Sequence, residues 1–180
     1  MRELSLNVLD IAQNSIAAAA TLVTIEIEEA MGMLTIRIGD NGRGMTNEQL
    51  EQIRDPFYTT RKTRRVGMGI PLFRMAAEMA GGSLAIESEV GVGTTVTARF
   101  GLDHIDRMPL GDMVGTMDTL IRLNPGIDFL YRHTVDERSF ELDTRSLREV
   151  LDGVPLSEPD IMDWIDANLT EGIQSLGSNA

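Results

Sequence analysis

Two runs near the start of the chain alternate apolar and polar side chains with period two. Leu22-Val23-Thr24-Ile25-Glu26-Ile27-Glu28 and Met33-Leu34-Thr35-Ile36-Arg37-Ile38 flank Ala30-Met31-Gly32, which predicts an antiparallel hairpin with one buried face. Ahead of them, Leu4, Leu6, Val8, Leu9, Ile11, Ala12 and Ile16 recur at mostly helical spacing and run into alanines, so a buried helix is expected over residues 3–20. Thr46 can cap a short helix over 47–53, because its hydroxyl satisfies a free backbone N–H. Helical spacing resumes over 69–80 through Leu72, Phe73, Met75, Ala76 and Met79, and Gly81-Gly82 end it. Strands over 83–89 and 94–100 then flank the turn Val90-Gly91-Val92-Gly93.

The order α-β-β-α-loop-α-β-β predicts an α+β fold in which a mixed, mostly antiparallel sheet carries helices on one face. From Asp103 onward the pattern predicts a helix over 110–123, a hairpin over 127–142, and helices over 146–151 and 159–169. Two parts are therefore expected, 1–102 and a small acidic α-β-β-α-α extension over 103–180. In the last helix Ile161, Trp164, Ile165 and Leu169 share a face, expected to pack into core. The final residues, SLGSNA, read as frayed.

Charge sharpens the contrast between the parts. Residues 1–100 hold 12 acids and 10 bases, whereas residues 101–180 hold 16 acids and 6 bases. So acidic a second part argues against a broad nucleic-acid surface, and only Arg61, Lys62, Arg64 and Arg65 form a local cluster suited to phosphate. The absence of cysteine removes disulfides and thiolate chemistry and fits a reducing compartment, so the cytoplasm is the default expectation. No apolar run approaches the roughly 20 residues of a membrane span.

The candidate chemistry begins at Asp40-Asn41-Gly42-Arg43-Gly44-Met45, where a strand ends. A carboxylate there can accept a hydrogen bond from an exocyclic amine, and glycines let backbone approach a flat ring. Taken alone, D-x-G-x-G is also an ordinary turn. Its surroundings add to it. Asn14 offers a neutral oxygen that can join phosphate oxygens and water around Mg²⁺. Thr59-Thr60-Arg61-Lys62 and Val66-Gly67-Met68-Gly69 offer hydroxyls, cations and backbone N–H groups leading into a helix N-terminus, a way to hold phosphates without a P-loop.

Taken together, these motifs resemble the ATP-binding domain shared by histidine kinases, type II topoisomerases, MutL repair proteins and a heat-shock chaperone family, the GHKL or Bergerat fold. Asn14 matches the asparagine of the first box, and NSIAAAAT is similar to its MutL version. DNGRGM, DPFYTTRKT, VGMGIPL and Gly91-Val92-Gly93-Thr94-Thr95 match the later boxes in order. The resemblance implies a two-layer α/β sandwich and a role for each position. Asp40 would bind the adenine amine, with Thr94 assisting through water. Asn14 would coordinate Mg²⁺. Gly42, Gly44 and Met45 would line the base and ribose, and Thr60, Arg61, Lys62, Gly67, Met68 and Gly69 would form a lid over the phosphates.

The chain also departs from the family. Where ATP-hydrolysing relatives place a glutamate four positions before the asparagine, Asp10 stands, a weaker general-base candidate because it is one methylene shorter. No helical dimerisation segment with a phosphoacceptor histidine precedes Asn14, so autophosphorylation within these residues is not expected. His104 and His133 read as structural or solvated. The expected function is a stand-alone kinase-like signalling ATPase that binds Mg-ATP and regulates a separate bacterial protein by phosphotransfer or sequestration. The alternative is a nucleotide-dependent switch without phosphotransfer, in which ATP closes the lid and changes dimerisation.

Overall fold

The computed structural model describes residues 3–54 and 68–180. Among the described residues twelve elements follow one another: α1 (Leu4–Ala17), β1 (Leu22–Ala30), β2 (Met33–Asp40), α2 (Asn47–Arg54), α3 (Gly69–Met79), β3 (Ser83–Glu89), β4 (Gly93–Gly101), α4 (Met113–Leu123), β5 (Asp128–Val135), β6 (Arg138–Asp143), α5 (Thr144–Leu151) and α6 (Pro159–Leu176). All six strands join one sheet in the order β3-β4-β2-β1-β5-β6. Every pairing is antiparallel except β1 with β5, where Leu22 lies opposite Asp128 and Glu29 opposite Val135.

The period-two alternation decides which face is covered. Val23, Ile25 and Ile27 of β1, Leu34, Ile36 and Ile38 of β2, Val96, Ala98 and Phe100 of β4, and Phe129 and Tyr131 of β5 are all buried. Intervening positions such as Glu26, Arg37, Arg132 and Glu141 form a ladder of ion pairs on the opposite face. Helices α1, α3 and α6 pack on the apolar face, and α4 packs against α1 and α6. Phe73 of α3 and Phe100 of β4 meet with ring centroids 5.7 Å apart. The segment after residue 102 thus continues the sheet through β5, and its Phe129, Tyr131, Met162, Ile165 and Leu169 belong to the same core as α1 and β1.

Local chemistry sets the element ends. The β1–β2 hairpin turns on two residues, Met31 (φ 53°) and Gly32 (φ 74°), the paired positive φ of a tight turn that matches strand twist. At α2, Gln49 N–H donates to Thr46 Oγ1 (3.2 Å) while Thr46 N–H donates to Gln49 Oε1 (2.9 Å), a reciprocal cap. The helix expected from Leu110 starts at Met113, because Asp112 caps it by accepting from Gly115 N–H (2.8 Å). The last helix continues past Leu169 to Leu176 and stops at Gly177 in the left-handed conformation.

Two expectations about this C-terminal part are corrected. Trp164 is 52 % exposed and lies outside the core, since Met162, Ile165 and Leu169 define the buried stripe of α6. The SLGSNA end is tethered: Ser178 Oγ donates to Glu29 Oε1, and Asn179 N–H donates to Glu29 Oε2 at 3.0 Å. Glu29 sits on the inward phase of β1 at 2 % exposure, and a buried carboxylate must find donors.

Candidate functional site

The apolar rows of the sheet end in polar residues at one edge of the covered face. Along β2 the inward positions are Leu34, Ile36, Ile38 and then Asp40; along β4 they are Phe100, Ala98, Val96 and then Thr94. Asp40 and Thr94 are direct partners in the β2–β4 register. Asn14 and Ser15 of α1 reach the same place, and together these residues line a cleft floored by Ile11, Ile38, Ile70 and Val96. The cleft has a cavity volume of about 170 Å³, smaller than the roughly 300–1,000 Å³ of typical small-molecule sites.

Both carboxylate oxygens of Asp40 are engaged. Ser15 Oγ donates to Oδ2 at 2.6 Å, and Gly42 N–H donates to Oδ1 at 2.9 Å. On the other wall, Ser88 Oγ of β3 lies 2.8 Å from Thr94 Oγ1 and 3.0 Å from the Gly93 carbonyl, and it accepts from Met45 N–H at 2.8 Å. The DNGRGM loop is held by its main chain: Arg43 N–H donates to the Ala18 carbonyl (2.9 Å), and Gly91 N–H donates to the Arg43 carbonyl (2.8 Å). Asn41 Oδ1 accepts from the N–H groups of Thr21 and Leu22, both at 2.9 Å.

The glycines of this loop are required by close approach. A Cβ on Gly44 (φ 68°) would collide with the Glu89 carbonyl, and one on Gly42 would lie 2.7 Å from the Ala18 carbonyl oxygen. Gly69, at the start of α3, packs against Asp10, where an added Cβ would come within 3.2 Å of the Asp10 Cβ. Asp10 itself is exposed, and Met68 is 72 % exposed.

Asp40, Gly44, Met45, Thr94 and Asn14 therefore line one cleft, Gly42 buttresses Asp40, and Asp10 and Gly69 stand beside each other. Thr60, Arg61, Lys62 and Gly67 lie outside the described residues. Residue-by-residue reading of the sequence missed Ser15 and Ser88, whose only signal is positional. Ser15 follows Asn14 on α1, and Ser88 continues the inward phase of β3 after Ile86.

The Asn14 side-chain amide makes no hydrogen bond among the described residues, and no group of three or more acidic or histidine side chains is arranged for a metal there. One neutral oxygen suits Mg²⁺, which keeps much of its water and takes the rest of its ligands from phosphates.

A second polar cluster occupies the opposite end of the covered face. Glu29 is six positions along β1 from Val23, the residue opposite Asp40, so roughly 20 Å of strand separates the two. His133, fully buried, lies with Nε2 3.1 Å from Glu29 Oε1 and Nδ1 3.1 Å from the Tyr131 hydroxyl. Burial opposes ionisation of Glu29, but hydrogen bonds from Ser178, Asn179 and His133 outweigh it and hold its carboxyl below the usual range. Burial lowers His133 against the pull of Glu29, and burial beside that carboxylate pushes Tyr131 up. A neutral imidazole that donates from Nε2 to the carboxylate and accepts at Nδ1 from the tyrosine satisfies all three groups.

Residues 1–104 match the family model described as histidine kinase-, DNA gyrase B-, and HSP90-like ATPase. Curated relatives include the histidine protein kinase DivJ of Caulobacter vibrioides, 36 % identical over 81 residues, 43 % of this chain and 14 % of that protein. Sporulation kinase C of Bacillus subtilis is 36 % identical over 88 residues, 48 % of this chain and 20 % of its own. The matches thus span a fifth or less of these kinases. Among solved structures, the Aquifex aeolicus MutL ATPase domain complexed with ADP aligns over 84 % of this chain and 70 % of its own at TM-score 0.50 and 19 % identity. The N-terminal domain of a DNA repair protein aligns over 79 % of this chain and 52 % of its own at TM-score 0.53 and 15 % identity. The likeness to these two is one of fold.

Proposed function

Because this chain belongs to the histidine kinase-, DNA gyrase B- and HSP90-like ATPase family, we propose that its cleft binds Mg-ATP and that the protein regulates a separate partner by phosphotransfer or sequestration. The observation that carries the nucleotide reading is Asp40, a carboxylate at the end of β2 with both oxygens oriented and an apolar floor beneath it. A flat base slides onto Ile38, Val96 and Met45, and its amine donates to Asp40. Thr94 takes part through water. Gly42 and Gly44 let the loop approach the base and ribose without side chains in the way.

Asn14, on the α1 wall, would hold Mg²⁺ through its amide oxygen; bound there, the ion would neutralise phosphate charge. Thr60, Arg61, Lys62, Gly67, Met68 and Gly69 form the proposed lid. Asp10, one turn before Asn14, would act on water only weakly, because its side chain is short.

The alternative is a nucleotide-driven conformational switch without phosphotransfer, in which lid closure changes self-association. The exposed position of Asp10 against Gly69 at the start of α3 favours this reading, since nucleotide can then couple α1 to α3. Incubation with ATP labelled on its γ-phosphate, in the presence of co-purifying proteins, separates phosphotransfer from sequestration and the switch. Label on a partner supports phosphotransfer; ATP-dependent association without label supports sequestration or the switch. Partner association indifferent to ATP contradicts both.

A further inference from the structure

We propose that Ser15 is a positioning residue that makes the cleft selective for a 6-amino purine, by fixing Asp40 as a pure acceptor while Ser88 fixes Thr94 in the same sense. The inference rests on the nucleotide reading above and assigns work to two serines to which the resemblance gives no role.

The hydroxyl protons can be placed from chemistry. An ionised carboxylate only accepts, so the proton in the 2.6 Å contact between Ser15 and Asp40 comes from Ser15. Gly42 N–H supplies the second fixed donor, to the other oxygen. With one donor on each oxygen, the carboxylate plane is set, and the remaining lone pairs are left to accept from a ligand in the cleft. Ser15 is 3 % exposed, so water does not compete for its proton.

Ser88 has three polar neighbours and a single proton. Met45 N–H can only donate to it, and the Gly93 carbonyl can only accept. All three contacts are satisfied together in one arrangement: Ser88 donates to Gly93, and Thr94 donates to Ser88. The Thr94 oxygen then turns its free lone pairs to the cleft. Asp40 and Thr94, partners across β2 and β4, thus present acceptors side by side. Such an end suits an amine with two N–H groups, directly and through water, and leaves a 6-oxo group facing acceptors with no donor.

Were Ser15 only a tie between α1 and β2, its loss would weaken every purine nucleotide alike. Were it a positioning residue, its loss would act on the amino group alone. The test is calorimetric titration of wild type, Ser15→Ala and Ser88→Ala with ATP, with the triphosphate of purine riboside, which lacks only the 6-amino group, and with inosine triphosphate, which carries oxygen there. A ratio of affinities is unaffected by a smaller folded fraction. Wild type should prefer ATP over the purine analogue by about tenfold, the scale of one hydrogen bond to a charged group. Ser15→Ala should lose most of that preference while binding the analogue as wild type does. Ser88→Ala frees the Thr94 proton and should raise inosine triphosphate binding relative to ATP. A Ser15→Ala protein that keeps the wild-type ratio overturns the proposal. Wild type that binds neither nucleotide, or ATP and the analogue equally, fails instead at the underlying reading of Asp40.

Discussion

Asp40 and Thr94 face each other across the β2–β4 register as the last inward residues of two otherwise apolar rows. The strands that build the core therefore deliver two hydrogen-bonding groups, side by side, to the floor of the cleft. Rigid strands hold such groups more accurately than loops do.

The loop that follows Asp40 depends on backbone space at Gly44. Replacing Gly44 by Ala puts a Cβ into the Glu89 carbonyl at a φ of 68°, so the loop must move and take Met45 with it. Gly91, also at positive φ (79°), has nothing within 4 Å of an added Cβ. Gly44→Ala should abolish nucleotide binding and lower the melting temperature, whereas Gly91→Ala should cost only about 1 kcal/mol of backbone strain and retain binding. Melting curves and titrations of the two variants check the contrast.

Asn14→Ala should leave the base contact intact and remove the protein's ligand to Mg²⁺. Affinity for a non-hydrolysable ATP analogue without Mg²⁺ should match wild type, and the gain on adding Mg²⁺ should shrink. Equal Mg²⁺ gains in the two proteins would contradict the assignment.

Acid should destabilise the protein through the Glu29–His133 pair. Both groups have lowered pKa values in the folded state, so the unfolded chain binds more protons and stability falls as pH drops. Neutral His133 contributes fully above its ordinary value of 6.5 and progressively less below it. Ionised Glu29 contributes above its ordinary value of 4.5, and that contribution is lost as pH falls through its lowered folded value. Urea midpoints measured from pH 7 down to pH 4 should decline, and Glu29→Gln should be less stable at pH 7. A flat wild-type profile would contradict this account of the cluster.

A chain ending at Leu102 should not fold cooperatively. It would turn β1 into an exposed edge and remove Phe129, Tyr131, Ile165 and Leu169 from the core that α1 and β1 share. A sharp thermal transition with native-like circular dichroism from that chain would refute the prediction.

The strands were legible because their burial alternates, and period two appears in sequence as directly as in space. That Asp40 and Asn14 would meet in one cleft was legible because their boxes carry the family resemblance. The parallel pairing of β5 with β1 was not, since sequence neighbours say nothing about which edge a later hairpin joins. Trp164 misled because its spacing to Ile161 and Ile165 fits a helical stripe centred in fact on Met162, Ile165 and Leu169. Glu29 was missed although it continues the inward phase of Val23, Ile25 and Ile27; a charged residue on that phase signals a buried partner, here the tail expected to be frayed. Ser15 and Ser88 gave no signal by type, because serine becomes informative only once a carboxylate or threonine is found beside it.

The most direct test of the central claim is calorimetric titration of wild type and Asp40→Asn with a non-hydrolysable ATP analogue, with and without Mg²⁺. The amide of Asn can present a donor where an acceptor is needed, at a cost of about 1–3 kcal/mol, so the account predicts Mg²⁺-dependent binding by wild type that weakens by about 5- to 150-fold in the variant. Wild type that does not bind, or an Asp40→Asn protein that binds as tightly as wild type, would contradict it.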